Sequence, residues 1–357
     1  MKGKHLMCLF AVPLMVAGLS ACKQEERPVS AKDSQQTTEE TRTFQTVGET
    51  GKVPETETDS EKEIIDTIEQ TQIQESQKDE NNGGNAMLEK YQIEIFCPEE
   101  LAKRRGDVTY PEINKTSYYS TTCEKNRNVN IMLPANYSTD KKYPVMYVLH
   151  GIFGDENSMK DTSVAIRNTI SEGLAQEMIV VYPYMYASKT QDVCTAIDEA
   201  NSKAYDNFVN DLVNDLMPFM AENYSVAEGK ENTAVVGFSM GGRESLAIGL
   251  QRPDLFGYVG AIAPAPGLVP GKDWAMQHPG QFEEKDVVFH EEKPYVLMVC
   301  CGDSDKTVGQ FPKSYHELFD KNGVEHVWWE IPGSDHGDPA ITSGIYNFVK
   351  NIFKGQE

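Results

Sequence analysis

The feature that most constrains this chain is a series of short apolar runs that do not alternate with polar residues. YPVMYVLHG (143–151), MIVVYPY (178–184), TAVVGFS (233–239), YVGAIAPA (258–265) and PYVLMVCCG (294–302) are apolar at nearly every position. A strand with one face in water alternates, whereas a strand covered on both faces does not, so these runs predict a mostly parallel sheet between two helical layers. RNVNIMLP (127–134) and HVWWEIPG (326–333) read as two further strands. Amphipathic segments separate the runs. The clearest spans 205–224, where Phe208, Val209, Leu212, Val213, Leu216, Phe219 and Met220 recur at helical spacing. Pro218 falls late in it, where the missing N–H predicts a kink. SMGGRESLAIGLQ, FPKSYHELFDKNG and ITSGIYNFVKNIF are further helix candidates. This alternation predicts one doubly wound α/β domain, whose functional residues should follow the carboxyl ends of strands.

The domain occupies only part of the 357 residues. Lys2 and Lys4 precede an apolar stretch from Leu6 to Leu19, too short for a membrane span, which reads as an export signal. Leu19-Ser20-Ala21-Cys22 resembles a bacterial lipobox, which implies lipidation of Cys22 and anchoring at the extracellular face of the membrane. From Lys23 the chain is rich in Glu, Thr, Gln, Ser and Lys and poor in aromatics. Such a segment buries too little apolar surface to offset its ordering entropy, so 23–88 is expected to be a disordered tether. The expected organisation is a leader at 1–22, the tether at 23–88 and a catalytic body at 89–357.

A formal net charge of -22 speaks against a nucleic-acid partner, which rewards clustered Lys and Arg. Of the seven cysteines, Cys97, Cys123, Cys194, Cys300 and Cys301 fall in the body. Their number and spacing suit neither a disulfide framework nor a zinc site, and Cys97 with Cys123 is the one pairing to consider. Cys300 and Cys301 end an apolar strand and read as small buried side chains.

Gly237-Phe238-Ser239-Met240-Gly241 fits the G-x-S-x-G turn that carries a serine nucleophile in an α/β-hydrolase. The serine must stand on a sharp strand-to-helix turn, and that turn presses together the residues two before and two after it. A serine hydroxyl also needs a base. His336 lies in IPGSDHGDP, after the last strand, where the order Ser, acid, His places it. His326 begins that strand and belongs to the opposite edge, and His316 sits mid-helix. Asp303 and Asp305 both follow the run PYVLMVCCG, and either could orient the imidazole. Asp335 and Asp338 read as solvated neighbours. For the oxyanion, the expected donors are the N–H of Met240 and that of Ile152 in HGIFGDEN, with Phe153 as the near alternative. His150 reads as a structural histidine.

YSTTCEKNRNVNIMLPANYSTDKKYPVMYVLHGIFGDEN, DNFVNDLVNDLMPFMAENYSV, VVGFSMGGRESLAIGLQRPDLFGYVGAIAPAP, CGDSDKTVG and GSDHGD together resemble an esterase family. That family includes the feruloyl and acetylxylan esterases of carbohydrate esterase family 1, esterase D and siderophore esterases. The likeness runs from about Asn114 onward and is greatest to the feruloyl esterase domains of bacterial xylanases. It places the family's nucleophile on Ser239, its histidine on His336 and its acid, the last residue of G-x-x-D, on Asp305. One departure is local: family members often read Gly-Gly-His-Asp at the histidine, and here it is Gly333-Ser334-Asp335-His336-Gly337.

The resemblance implies an acyl-enzyme hydrolysis of feruloyl esters on plant cell-wall xylan, without metal or cofactor. Alternatives are acetylxylan or siderophore trilactone hydrolysis, acyl transfer to a sugar alcohol, and a surface glycan-binding lipoprotein without activity. The connection from Pro266 to Glu292 is long enough to carry substrate contacts. Within it Trp274 could stack on a sugar or aromatic acid, or anchor the loop.

Overall fold

The computed structural model describes residues 86–354. The leader, Cys22 and almost all of the expected tether lie outside them. Among the described residues, no helix is long and apolar enough to cross a membrane.

The main sheet has eight strands in the order β1-β2-β4-β3-β5-β6-β9-β10. They are β1 (Ile113–Ser120), β2 (Lys125–Met132), β3 (Val145–Leu149), β4 (Ile179–Pro183), β5 (Thr233–Phe238), β6 (Tyr258–Ile262), β9 (Val296–Gly302) and β10 (Val327–Ile331). β7 (Gly271–Lys272) and β8 (Gln277–His278) form a separate two-stranded hairpin. β2 pairs antiparallel with β1 and β4, and from β4 to β10 every pairing is parallel.

β3 shows why the apolar runs lack alternation. Val145, Tyr147 and Leu149 join one core, Met146 and Val148 the other, and all five are buried. The first core is closed by Phe208, Leu212, Leu246, Ile248, Tyr315 and Phe319, from helices on one face. Ile166, Ile170, Ile345 and Phe348, from helices Ser163–Ser171 and Ala340–Asn351, close the other. Each such side chain taken from water contributes about 1.5–3 kcal/mol.

Two readings of the sequence need correction. β1, INKTSYYS, escaped notice because it is an edge strand with mostly polar, partly exposed side chains. The expected helix over 205–224 is a succession: Glu199–Asp206, Phe208–Asp211, a π turn at Leu212–Leu216, then Met217–Asn223. Pro218 is the second residue after the π turn, and the wider turn takes up the crowding a proline causes in a regular helix.

All five cysteines among the described residues are free. Cys123 is buried with its sulfur 3.4 Å from Arg127 Nη1, while the Cys97 amide donates to Ser343 Oγ at 3.0 Å. The Cys97–Cys123 pairing is therefore absent. Cys300 and Cys301 are buried on β9, as their sequence implied.

Candidate active site

β5 ends at Phe238, helix Met240–Gln251 begins at once, and Ser239 between them has φ 57° and ψ -117°. Positive φ is costly for a residue with a side chain, on the order of 1–3 kcal/mol, and persists where the surroundings impose it. Here they do. The Ser239 N–H donates to Ile262 O at 2.9 Å, and its carbonyl accepts from the Ala265 N–H at 3.0 Å. The two glycines are steric requirements. A β-carbon on Gly237 would lie 2.2 Å from Gly241 O, and one on Gly241 would lie 2.4 Å from Leu149 O.

Two loops bring the partners. Asp305 follows β9 and is buried, with Oδ1 accepting from the N–H groups of Thr307 at 2.9 Å and Val308 at 3.2 Å. Its Oδ2 is left to face His336 Nδ1 at 2.7 Å. The far nitrogen, His336 Nε2, lies 3.0 Å from Ser239 Oγ. With Nδ1 donating to the carboxylate, Nε2 is the acceptor for the serine hydroxyl. Phe238 packs on the imidazole with ring centroids 4.6 Å apart.

The aspartates left open by the sequence separate clearly. Asp303 accepts from the Gly333 N–H at 2.7 Å and from Ser304 Oγ, tying the two loops together away from the imidazole. Asp335 accepts from the backbone N–H of His336, and Asp338 from Thr342. Gly302 allows the loops to meet, since a β-carbon there would lie 2.1 Å from Ser334 O.

The loop after β3 stands beside the serine. A β-carbon on Gly151 would be 3.4 Å from Ser239 Cβ. His150 is buried, donates from Nδ1 to Gly151 O at 2.7 Å and accepts the Met185 N–H on Nε2 at 3.0 Å. Burial lowers its pKa to about 4, so the ring is neutral. Gly151 O also receives the Gly154 N–H at 3.1 Å. In a trans peptide the N–H points opposite to the carbonyl, so these two bonds turn the Ile152 N–H the other way. The Phe153 N–H is already used, donating to Tyr205 Oη at 3.2 Å, and Phe153 has φ 61° and a side chain 56% exposed. Met240, first in its helix, has no intrahelical acceptor for its N–H. Tyr205 went unnoticed in the sequence because its signal there is merely that of a core aromatic.

Trp274 lies between β7 and β8 and is 74% exposed, so it does not anchor its loop. A groove of about 790 Å³ is lined by Pro294, Tyr295, Glu325 and His326, at the amino ends of β9 and β10, opposite the edge that carries Ser239.

A mostly parallel sheet with a strained serine at the end of its central strand defines the chain as an α/β-hydrolase. The sequence model of the Esterase family, described as "Putative esterase", matches residues 120–322. The chain belongs to this esterase family. A CE1 ferulic acid esterase from Anaeromyces mucronatus, solved in complex with ferulic acid, is 45% identical with a TM-score of 0.71; the match covers 73% of this chain and 97% of that one. An endo-1,4-beta-xylanase/feruloyl esterase of Xylanibacter ruminicola is 26% identical over 213 residues, 57% of this chain. The chain spans about a quarter of that relative's length, the match covering 26% of it. The feruloyl esterase module from Clostridium thermocellum, at 17% identity and TM-score 0.55, shares the fold.

Proposed function

We propose that this chain is a serine carboxylesterase that cleaves feruloyl (hydroxycinnamoyl) esters of plant cell-wall xylan. The observation that carries the reading is the continuous chain of contacts Ser239 Oγ–His336 Nε2 at 3.0 Å and His336 Nδ1–Asp305 Oδ2 at 2.7 Å. The acyl group is argued from the ferulic acid esterase at 45% identity. Xylan is argued from the xylanase relative.

In this mechanism His336 takes the proton of Ser239 as Oγ attacks the ester carbonyl. The tetrahedral oxyanion is held by the N–H groups of Met240 and Ile152. Its collapse breaks the bond to the sugar oxygen, which leaves with the proton from His336. Water then enters, gives its proton to His336 and attacks the acyl-enzyme, and ferulate departs as Ser239 regains its hydrogen. Asp305 holds the imidazole in one tautomer and stabilises the imidazolium. Phe153 and Trp274 are the exposed aromatic contacts proposed for the substrate. Lipidation at Cys22 would hold the enzyme at the extracellular face of the membrane, with the expected tether ending before 86, since 86–88 are helical and Met87 and Leu88 pack against the core.

The test compares acid release from methyl ferulate and acetylated xylan by the purified protein and its Ser239→Ala variant. Ferulate release that the substitution abolishes supports the reading. Serine-dependent acetate release without ferulate moves the enzyme to the deacetylase class. No serine-dependent release from either substrate removes this function.

A further inference from the structure

Three side chains meet at the edge of the sheet opposite the serine. His316 and Asp320 lie one turn apart on helix Phe311–Lys321, and His326 immediately precedes β10. His316 Nδ1 is 2.7 Å from His326 Nε2 and 3.6 Å from Asp320 Oδ2. One ligand atom from each of the three lies within 4.8 Å of the others. We propose that His316, His326 and Asp320 form a binding site for a divalent first-row metal ion, with zinc the best fit.

The donor chemistry is suited to zinc. His326 is buried, and its Nδ1 donates to Val324 O at 2.8 Å, which fixes the tautomer with the lone pair on Nε2. A ring nitrogen anchored by a backbone carbonyl is the usual outer support of a metal-bound histidine. His316 stacks on Trp328 with ring centroids 5.1 Å apart and planes within 7°, so its orientation is set as well. It donates from Nδ1 to His326 at present. On metal binding it would carry that proton on Nε2 instead and offer the Nδ1 lone pair. The ligand atoms of a tetrahedral zinc stand roughly 3.3 Å apart. The two nitrogens must therefore open slightly from 2.7 Å, and the carboxylate must swing in, from 3.6 Å on the His316 side and from a nearest approach of 4.0 Å to the His326 ring on the other. Asp320 is exposed and free to make that adjustment. His326 also lines the groove at the amino ends of β9 and β10, which provides an entry path.

The ion would act on structure. β10 is an edge strand paired with β9 alone, and His336 lies just beyond its other end. Metal bound between helix Phe311–Lys321 and His326 would staple the amino end of β10 to the body.

The test is competition with a chromophoric zinc indicator, using the metal-stripped full chain and its His316→Ala and Asp320→Asn variants. The expected result is saturable binding of one zinc per chain, weakened by at least about tenfold in both variants. Zinc should also raise Tm in the parent and not in the variants, with ester hydrolysis unchanged in all three, which separates loss of the site from loss of the fold. No saturable binding by the parent, or equal affinity in parent and both variants, overturns the proposal.

Discussion

The imidazole of His150 donates to the carbonyl of Gly151 at 2.7 Å, so a buried ring holds the peptide that links Gly151 to Ile152. If the Ile152 N–H receives the oxyanion, freeing that peptide weakens the transition state more than the ground state. His150→Ala should lower kcat on methyl ferulate by up to about 10²-fold, below or near the roughly 10²–10³ that removing a donor outright costs. KM should change little, and Gly154 still holds the carbonyl from one side. The variant also strands the Met185 N–H, at a cost of about 1–3 kcal/mol in stability. An unchanged kcat in folded protein would place the Ile152 amide outside the reaction.

The same ring makes stability depend on pH. Burial lowers the His150 pKa from 6.5 to about 4. Above pH 6.5 the ring is neutral in both states and its full contribution is present. As pH falls toward 4 the unfolded chain takes up a proton that the folded chain refuses, and stability declines by an amount on the order of 3 kcal/mol. Denaturant midpoints at pH 7, 5.5 and 4 should fall more steeply for the parent than for His150→Gln. Parallel slopes would show that the ring is not held neutral.

Asp305 divides its two oxygens between different tasks, which makes Asp305→Asn a clean substitution. The amide oxygen can keep the N–H groups of Thr307 and Val308, so the loop should survive. The amide nitrogen then faces His336 Nδ1 as a donor and drives the imidazole into the tautomer that cannot accept from Ser239. The expected loss is about 10⁴ in kcat with KM little changed. Thermal melting should match the parent. Activity within tenfold of the parent would remove Asp305 from the mechanism.

The layout of the sheet was legible because both faces of β3, β4, β5, β6 and β9 are buried and leave unbroken apolar runs. The elbow was legible because steric demands at Gly237 and Gly241 leave glycine no substitute. What stayed hidden depends on partners distant in the chain. Asp303 and Asp305 have the same local sequence logic, so only the family resemblance pointed to Asp305; in the structure Asp305 Oδ2 faces His336 Nδ1 at 2.7 Å, while Asp303 takes the Gly333 N–H. Ile152 was expected with Phe153 as the near alternative, but the hydroxyl of Tyr205 that occupies the Phe153 N–H lies 52 residues away and left no local signal. β1 left no apolar signal because most of its side chains are polar and only Tyr118 and Ser120 among them are buried.

Trp274 offers the last test, because its exposure separates packing from binding. The connection that carries it starts at Ile262, whose carbonyl accepts the Ser239 N–H at 2.9 Å, so the hairpin β7–β8 grows from the edge of the sheet that bears the serine. An indole 74% exposed contributes little to the fold. Trp274→Ala should leave stability within about 0.5 kcal/mol of the parent. A sugar stacked on the indole covers apolar surface worth about 0.5–1.5 kcal/mol at roughly 25 cal/mol per Å², so KM for feruloylated xylan should rise roughly two- to tenfold. Methyl ferulate, which has no sugar to stack, should be hydrolysed as before. Equal changes on both substrates would place Trp274 against the acyl group, and no change on either would remove it from the substrate path.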